Sequence, residues 1–345
     1  MRLKKHQSIT ITVVFILSMS FIGVILGSVF ITAMAQSENS PWYISLKDKQ
    51  RTPTPFQPYS FANIMEDGSI ELIPQPMFTP TPVPAIPEGE LPENQWNIIM
   101  LGVDDFGENN FRTDVIMLLS VNPKHGTVSL VSFPRDLYVT IPGYWSNRIN
   151  TAWALGGFPL LQQTFEVNFG IRPDNYMMVN YNGFKDVVNS IGGIEVSVSE
   201  ELQDSCQLDP SGWCIIEPGE QHMDGGTALW YARSRLTTSD FDRNRRAQEV
   251  VMAIFKKAVN LNMLTKVPEL YSLYREYVDT DIKLAQVLPL LPMAKPLMTN
   301  SDNIRRFSVG PEMVSNWITY EGAMVLLPNN WAISEMLSEA LYRNE

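Results

Sequence analysis

The sequence predicts an α/β/α sandwich built on a central mixed β-sheet. Short, nearly continuous apolar runs of strand length occupy residues 98–101, 115–121 and 128–133, as strands covered on both faces do. The turn residues Asn122-Pro123-Lys124-His125-Gly126 separate the second run from the third and predict a hairpin. Beyond Gly157 the texture alternates. Leu160, Leu161, Phe165 and Val167 suggest a helix, residues 176–179 a strand, 184–191 a helix and 194–198 a strand. A hairpin followed by strands alternating with helices gives a sheet of mixed direction with helices on its faces. From Arg246 onward, Val250, Val251, Ile254, Phe255 and Ala258 recur at helical spacing and predict an amphipathic helix with arginines at its start. No internal repeat is present.

Ahead of this domain the chain changes character twice. Residues 7–37 carry no charged side chain, and the apolar stretch 9–35 exceeds the roughly 20 residues that cross a bilayer as a helix. Arg2, Lys4 and Lys5 precede it, so the positive-inside bias keeps residues 1–7 cytoplasmic and sends everything after the 8–35 anchor outside the cell membrane. A cleaved signal peptide is the competing reading, since Ala33-Met34-Ala35 has small residues at cleavage spacing. The apolar length favours the anchor, because signal h-regions run only about 7–15 residues. Residues 36–93 hold Thr52-Pro53-Thr54-Pro55 and Phe78-Thr79-Pro80-Thr81-Pro82-Val83-Pro84. Such Pro/Thr-rich sequence stays extended and reads as a stalk. The globular domain is expected over 94–345.

Charge and cysteines narrow the function classes. A formal charge of −11 argues against a sequence-independent nucleic-acid binder, which needs a basic footprint. Any anion site must be local. Cys206 and Cys214 stand eight apart in a Gly/Pro/Ser-containing segment, a spacing that permits a local disulfide in an oxidising compartment. Two thiols and three scattered histidines make a poor zinc set.

Three acid-and-arginine clusters carry the chemistry. In the first, Gly102-Val103-Asp104-Asp105 follows the first apolar run and Arg112-Thr113-Asp114 precedes the second. Carboxylates at adjacent strand ends can converge on Mg²⁺, which takes one or two of them plus phosphate oxygens and water; the same acids equally suit solvated turn caps. The second is Pro134-Arg135-Asp136 after the third run, followed by Arg148-Ile149-Asn150. An arginine at the end of a buried strand can grip an oxyanion bidentately, or bridge an acid within the fold. In the third, Arg233, Arg235, Arg243, Arg245 and Arg246 put five arginines within fourteen residues of an acidic protein, which calls for an anion. Arg233 and Arg235 flank a small residue, as strand residues pointing to one side would. Phosphoryl transfer suits such a set, because its transition state spreads negative charge over oxygens. No Gly-rich loop ending in Gly-Lys-Ser/Thr and no Gly-x-Ser-x-Gly elbow occurs, which disfavours a nucleotide kinase or serine hydrolase.

In this order the clusters resemble the LytR-CpsA-Psr domain. The matching stretches are 97–104, Phe111-Arg112-Thr113-Asp114, 132–136, Arg148-Ile149-Asn150-Thr151-Ala152, 184–198, 219–235 and 240–248. The resemblance implies an α/β/α fold with a long apolar groove for a polyprenyl chain and a pyrophosphate site at its mouth. It implies transfer of a phosphoglycan from a polyprenyl-pyrophosphate-linked donor to a peptidoglycan hydroxyl, releasing polyprenyl phosphate. Matched by motif, Asp104 and Asp114 would hold Mg²⁺, while Arg112, Arg135, Arg148, Arg233, Arg235 and Arg243 would clamp the pyrophosphate. Asp240 would orient an arginine or help deprotonate the acceptor. Two departures stand out. The family's Arg-Gln-Gln is Arg246-Ala247-Gln248 here, so a pyrophosphate-contacting glutamine is missing at Ala247 and only Gln248 could substitute as a substrate-binding amide, and Asp105-Phe106 replaces the family's Ser/Thr-Arg after Asp104. Asp105 could then share the metal. A binding module without turnover and a lipid-pyrophosphate hydrolase remain the alternatives; transcriptional regulation conflicts with the charge and the outward topology.

Overall fold

The computed structural model describes residues 62–64, 70–72, 91–92, 94–104, 113–235, 239–260, 277–319 and 321–342. The expected anchor over 8–35, the cytoplasmic residues before it and the Pro/Thr motifs of the stalk lie outside these. Among the described residues no helix is long and apolar enough to cross a membrane. Two compact units are present, Met1–Pro76 and Met77–Glu345. In the first, β1 (Ala62–Ile64) and β2 (Ile70–Leu72) pair antiparallel, a short hairpin inside the segment whose composition predicts an extended stalk.

The second unit is organised by a six-stranded sheet. Its members are β3 (Trp96–Val103), β4 (Thr113–Asn122), β5 (Thr127–Phe133), β8 (Asn175–Asn180), β13 (Val278–Thr280) and β14 (Ile304–Ser308), in the order β13-β8-β3-β4-β5-β14. The intervening short strands β6 (Tyr138–Val139) and β7 (Asn147–Arg148) pair with each other. β3, β4 and β5 run antiparallel in sequence, with the predicted turn joining the last two, whereas β8 and β14 join as parallel neighbours of β3 and β5. The sheet is therefore mixed, as expected.

Strand alternation feeds two cores. Ile116 and Leu118 of β4 face one side with Val131 and Phe133 of β5. There they meet Leu161, Phe165 and Phe169 of α1 (Thr151–Phe169). Met117 and Leu130 face the other side and meet Ala247. The first helix bends where Gly156 and Gly157 leave helical geometry ahead of Pro159, and it ends at Gly170 in the left-handed region.

A third cluster lies beside the sheet. α2 (Tyr181–Ser190), β9 (Ile194–Val198), β10 (Leu202–Ser205), β11 (Trp213–Ile216), β12 (Gly219–Met223), α3 (Gly225–Arg233) and α4 (Asp240–Asn260) pool Val188, Ile194, Leu202, Ile216, Ala228 and Val250 in one core. The helix predicted from Arg246 thus begins six residues earlier, at Asp240. Arg233 lies in a helix, not the strand its spacing suggested. The Asp224 carboxylate caps that helix by accepting from Thr227 N at 2.8 Å. Helix formers Ala228, Leu229 and Ala232 then carry it to Ser234.

Candidate active site at the sheet edge

Strand polarity collects the predicted residues at one edge. β3, β5 and β8 end there and β4 begins there, since Val103 pairs with both Asn180 and Thr113, and Phe133 pairs with Ile116. The carboxyl ends of parallel neighbours are where open α/β sheets bind ligands. The β3–β4 register shifts at this point: Gly102 pairs with Val115 and Val103 with Thr113, so Asp114 has no cross-strand partner and occupies a bulge. A bulge re-aims the extra residue. Gly102 allows it, because a Cβ there would lie 3.1 Å from Val115 Cβ.

Asp114 is the hub of the site. Its Oδ1 accepts from Arg135 Nη1 at 2.5 Å and its Oδ2 from the Tyr181 hydroxyl at 2.6 Å. The Arg233 guanidinium stacks 3.9 Å above the Tyr181 ring centroid, close enough for a cation–π contact. Arg243 Nη2 reaches the Asp114 carbonyl at 3.4 Å and donates to Asp240 Oδ2 at 2.7 Å. Arg235 Nη1 lies 3.9 Å from Asp240 Oδ1. On the other flank Asp136 stands between Arg135 and Arg148, at 3.5 and 3.3 Å, and Arg148 Nη2 donates to Met324 O at 2.8 Å.

Electrostatics follow from this packing. Burial pushes the Asp114 carboxyl up, but the Tyr181 and Arg135 hydrogen bonds and the Arg135 and Arg243 charges outweigh it and hold the group below the usual carboxylate range. For Arg135, burial lowers and Asp114 raises the pKa, with a net rise. Arg243 is depressed chiefly by burial, and burial with the Asp114 bond drives Tyr181 upward. Nε of Arg135, Arg148 and Arg243 are buried without a hydrogen-bond partner. For the first two, Asp136 is within ion-pair reach but outside hydrogen-bond geometry, so the pairs give charge balance without satisfying the donors. These donors flank two carboxylates, Asp114 beside Arg135 and Arg243 and Asp136 beside Arg135 and Arg148, so the site carries more guanidinium donors than its acids satisfy.

Most of the sequence-predicted residues therefore converge. Asp114, Arg135, Arg148, Arg233, Arg235, Arg243 and Asp240 form one linked network, and Asp104, the residue after β3, adds its charge to the field at Tyr181. Arg112 and Asp105 lie outside the described residues. Gln248 is engaged elsewhere: its buried amide donates to Ser132 Oγ at 2.8 Å and to Phe307 O at 2.6 Å, tying α4 to β5 and β14. Tyr181 was missed. Its available signal was position, directly after the strand pattern at 176–179, where a polar-tipped aromatic projects at a sheet edge.

Asp104 and Asp114, on neighbouring strand ends, are a donor set that Mg²⁺ accepts when phosphate oxygens and water complete its shell. Among the described residues no group of three or more His, Cys, Asp or Glu could hold a metal ion. Asp114 retains lone pairs beyond those used by Arg135 and Tyr181.

The unit is a mixed β-sheet with helices on its faces that gathers an arginine–aspartate network at its strand ends. Residues 79–339 match the LytR_cpsA_psr family, and the chain belongs to that family. It is 32% identical over 189 residues to the regulatory protein MsrR of Staphylococcus aureus (strain COL), covering 54% of this chain and 56% of MsrR. It is 29% identical over 208 residues to the polyisoprenyl-teichoic acid–peptidoglycan teichoic acid transferase TagV of Bacillus subtilis (strain 168), covering 58% of this chain and 53% of TagV. The match thus spans about half the length of these curated relatives. The crystal structure of B. subtilis TagV superposes with a TM-score of 0.62 at 26% identity, over 73% of this chain and 99% of that one. TagT with bound octaprenyl pyrophosphate lipid superposes at 0.55 and 25% identity, over 74% and 94%.

Proposed function

We propose that this chain transfers a phosphoglycan from a polyprenyl-pyrophosphate-linked glycopolymer to a hydroxyl of peptidoglycan, releasing polyprenyl phosphate. The observation that carries the reading is the network in which Arg135 and Arg243 contact Asp114 and Arg233 stacks on the Tyr181 bonded to it at one sheet edge. Its likeness to a transferase named for teichoic acid and to a protein solved with octaprenyl pyrophosphate supports the choice of donor. The acceptor oxygen attacks the glycan-bearing phosphorus, the bond to the bridging oxygen breaks, and the acceptor proton is released. Arg135, Arg148, Arg233, Arg235 and Arg243, with Arg112, hold the pyrophosphate oxygens and offset the charge that builds on them. Asp240 orients Arg243 and Arg235. Asp104 and Asp114 would hold Mg²⁺, which would supply charge neutralisation at the phosphate oxygens. Residues 8–35 anchor the chain in the cell membrane with the catalytic domain outside, where such a donor and peptidoglycan meet.

The test uses the full chain in detergent, a synthetic polyprenyl-pyrophosphate disaccharide and an oligomeric glycan acceptor. Mass spectrometry should find the phosphoglycan on the acceptor, dependent on Mg²⁺ and lost in Asp114→Ala with an unchanged fold. Polyprenyl phosphate released without need of acceptor would instead identify a hydrolase. Binding without turnover would identify a binding module.

A further inference from the structure

The hairpin of β10 and β11 is cross-linked by Cys206–Cys214. The bond is the one the cysteine spacing permits, yet nothing in the transfer chemistry uses it. Two four-residue strands are marginal by themselves, and the covalent closure holds them in register. That register sets Asp204 directly opposite Cys214. Strand alternation turns Leu202 and Asp204 inward, and Asp204 is only 3% exposed. A buried carboxylate is costly unless hydrogen-bonded. Asp204 Oδ1 accepts from Ser205 N at 2.6 Å and Ser205 Oγ at 3.2 Å, while Oδ2 accepts from Arg235 N at 2.8 Å. Trp230 Nε1 donates to Ser205 O at 2.9 Å and docks the hairpin on α3.

Arg235 depends on this contact more than its neighbours do. Its side chain is 56% exposed, against 5% for Arg243, so packing does little to place its guanidinium. Apart from the 3.9 Å approach to Asp240, its position is inherited from the backbone. That backbone is held on one side by Arg246, which donates to Tyr231 O and Ser234 O, and on the other by Asp204.

We propose that Asp204 is a positioning residue for Arg235, and that the Cys206–Cys214 bond fixes the hairpin that presents it, so the hairpin sets the grip on the donor's pyrophosphate. The inference rests on the reading of Arg235 as a pyrophosphate ligand. Its test is the affinity of the full chain in detergent for octaprenyl pyrophosphate, measured by calorimetry alongside melting temperature. The variants are Asp204→Ala, Asp204→Asn and the pair Cys206→Ser with Cys214→Ser, each made with Arg235 intact and with Arg235→Ala. With Arg235 intact, Asp204→Ala and the cysteine pair should weaken binding by roughly three- to tenfold. Asp204→Asn should retain most of the affinity, because its amide oxygen still accepts from Arg235 N. With Arg235→Ala none of the three should weaken binding further, whatever happens to melting temperature. Equal weakening in both backgrounds, or unchanged affinity with Arg235 intact, overturns the proposal. Arg235→Ala binding like the wild type overturns the pyrophosphate reading and this inference together; Arg235→Ala binding weakly while the Asp204 variants bind normally overturns this inference alone. Should Asp204→Ala not fold, the cysteine pair, which leaves the carboxylate in place, decides.

Discussion

Arg243 and Arg246 sit one turn apart on α4, both buried, yet they belong to different regions. Arg246 fills the contact between α3 and α4, with its donors on the Tyr231 and Ser234 carbonyls at the end of α3. Arg243 faces the sheet edge, pairs with Asp240, reaches the Asp114 carbonyl and keeps an unsatisfied Nε. Arg245 differs from both: partly exposed, it is tied to Ser199, to Asp242 and to Glu249, whose other oxygen accepts from Tyr231. Arginine density alone does not separate the two uses. Partners do: neutral carbonyls at a helix end make an internal bolt, whereas carboxylates ringed by spare donors leave room for an anion.

The largest expected effect comes from separating these neighbours. Arg243→Ala should lower transfer by about a hundredfold while melting temperature stays near wild type. Arg246→Ala should instead leave two buried carbonyls without donors and lower stability by about 3 kcal/mol, with the surviving folded protein still active. Measured together, activity and melting temperature break the comparison if the two variants behave alike.

Arg135 sharpens it within the site. Arg135→Ala should cut activity by about tenfold to a hundredfold, and Arg135→Lys should not restore it, because a point charge cannot reproduce a planar fork. Full rescue by lysine in the same transfer assay would reduce Arg135 to a charge-balancing partner of Asp114.

Tyr181→Phe keeps the ring beneath Arg233 and deletes only the bond to Asp114, whereas Tyr181→Leu removes both. A loss of roughly threefold to tenfold is expected for phenylalanine, and a further loss for leucine from the missing ring. Equal rates in wild type and both variants would remove Tyr181 from the network.

The smallest effect is in acid. Folding holds the Asp114 carboxyl below its unfolded value, so its contribution to stability is complete above about pH 4 and is lost as pH falls through the folded value. Arg135→Ala removes one cause of that depression. Its melting temperature should therefore fall less steeply than the wild type's on going from about pH 4 to pH 2, and parallel curves would contradict the ion pair's part in the shift.

Local pattern carried much of the design. Apolar runs with a turn between them marked β3, β4 and β5, and the ordered acid-and-arginine motifs marked Asp114, Arg135, Arg233 and Arg243, because strand burial and strand-end chemistry are both written within a few consecutive residues. The spacing of Cys206 and Cys214 likewise sufficed for their pairing. Other features lay beyond local reach. Arg233 reads as a strand residue from its spacing, but the Asp224 cap and the packing of α3 on α4 make it helical. Gln248 looks like a ligand beside the arginines until the turn of α4 directs it at Ser132 and Phe307. The bulge at Asp114 depends on the pairing of two strands, and the meeting of Tyr181 with Asp114 and with Arg233 and the hold of Asp204 on Arg235 join residues 67, 52 and 31 positions apart in the chain. The sequence by itself determined which side chains could bind an anion. Only the tertiary structure decided which of them face one another, because strand register and helix rotation are set by the packing of distant apolar surfaces.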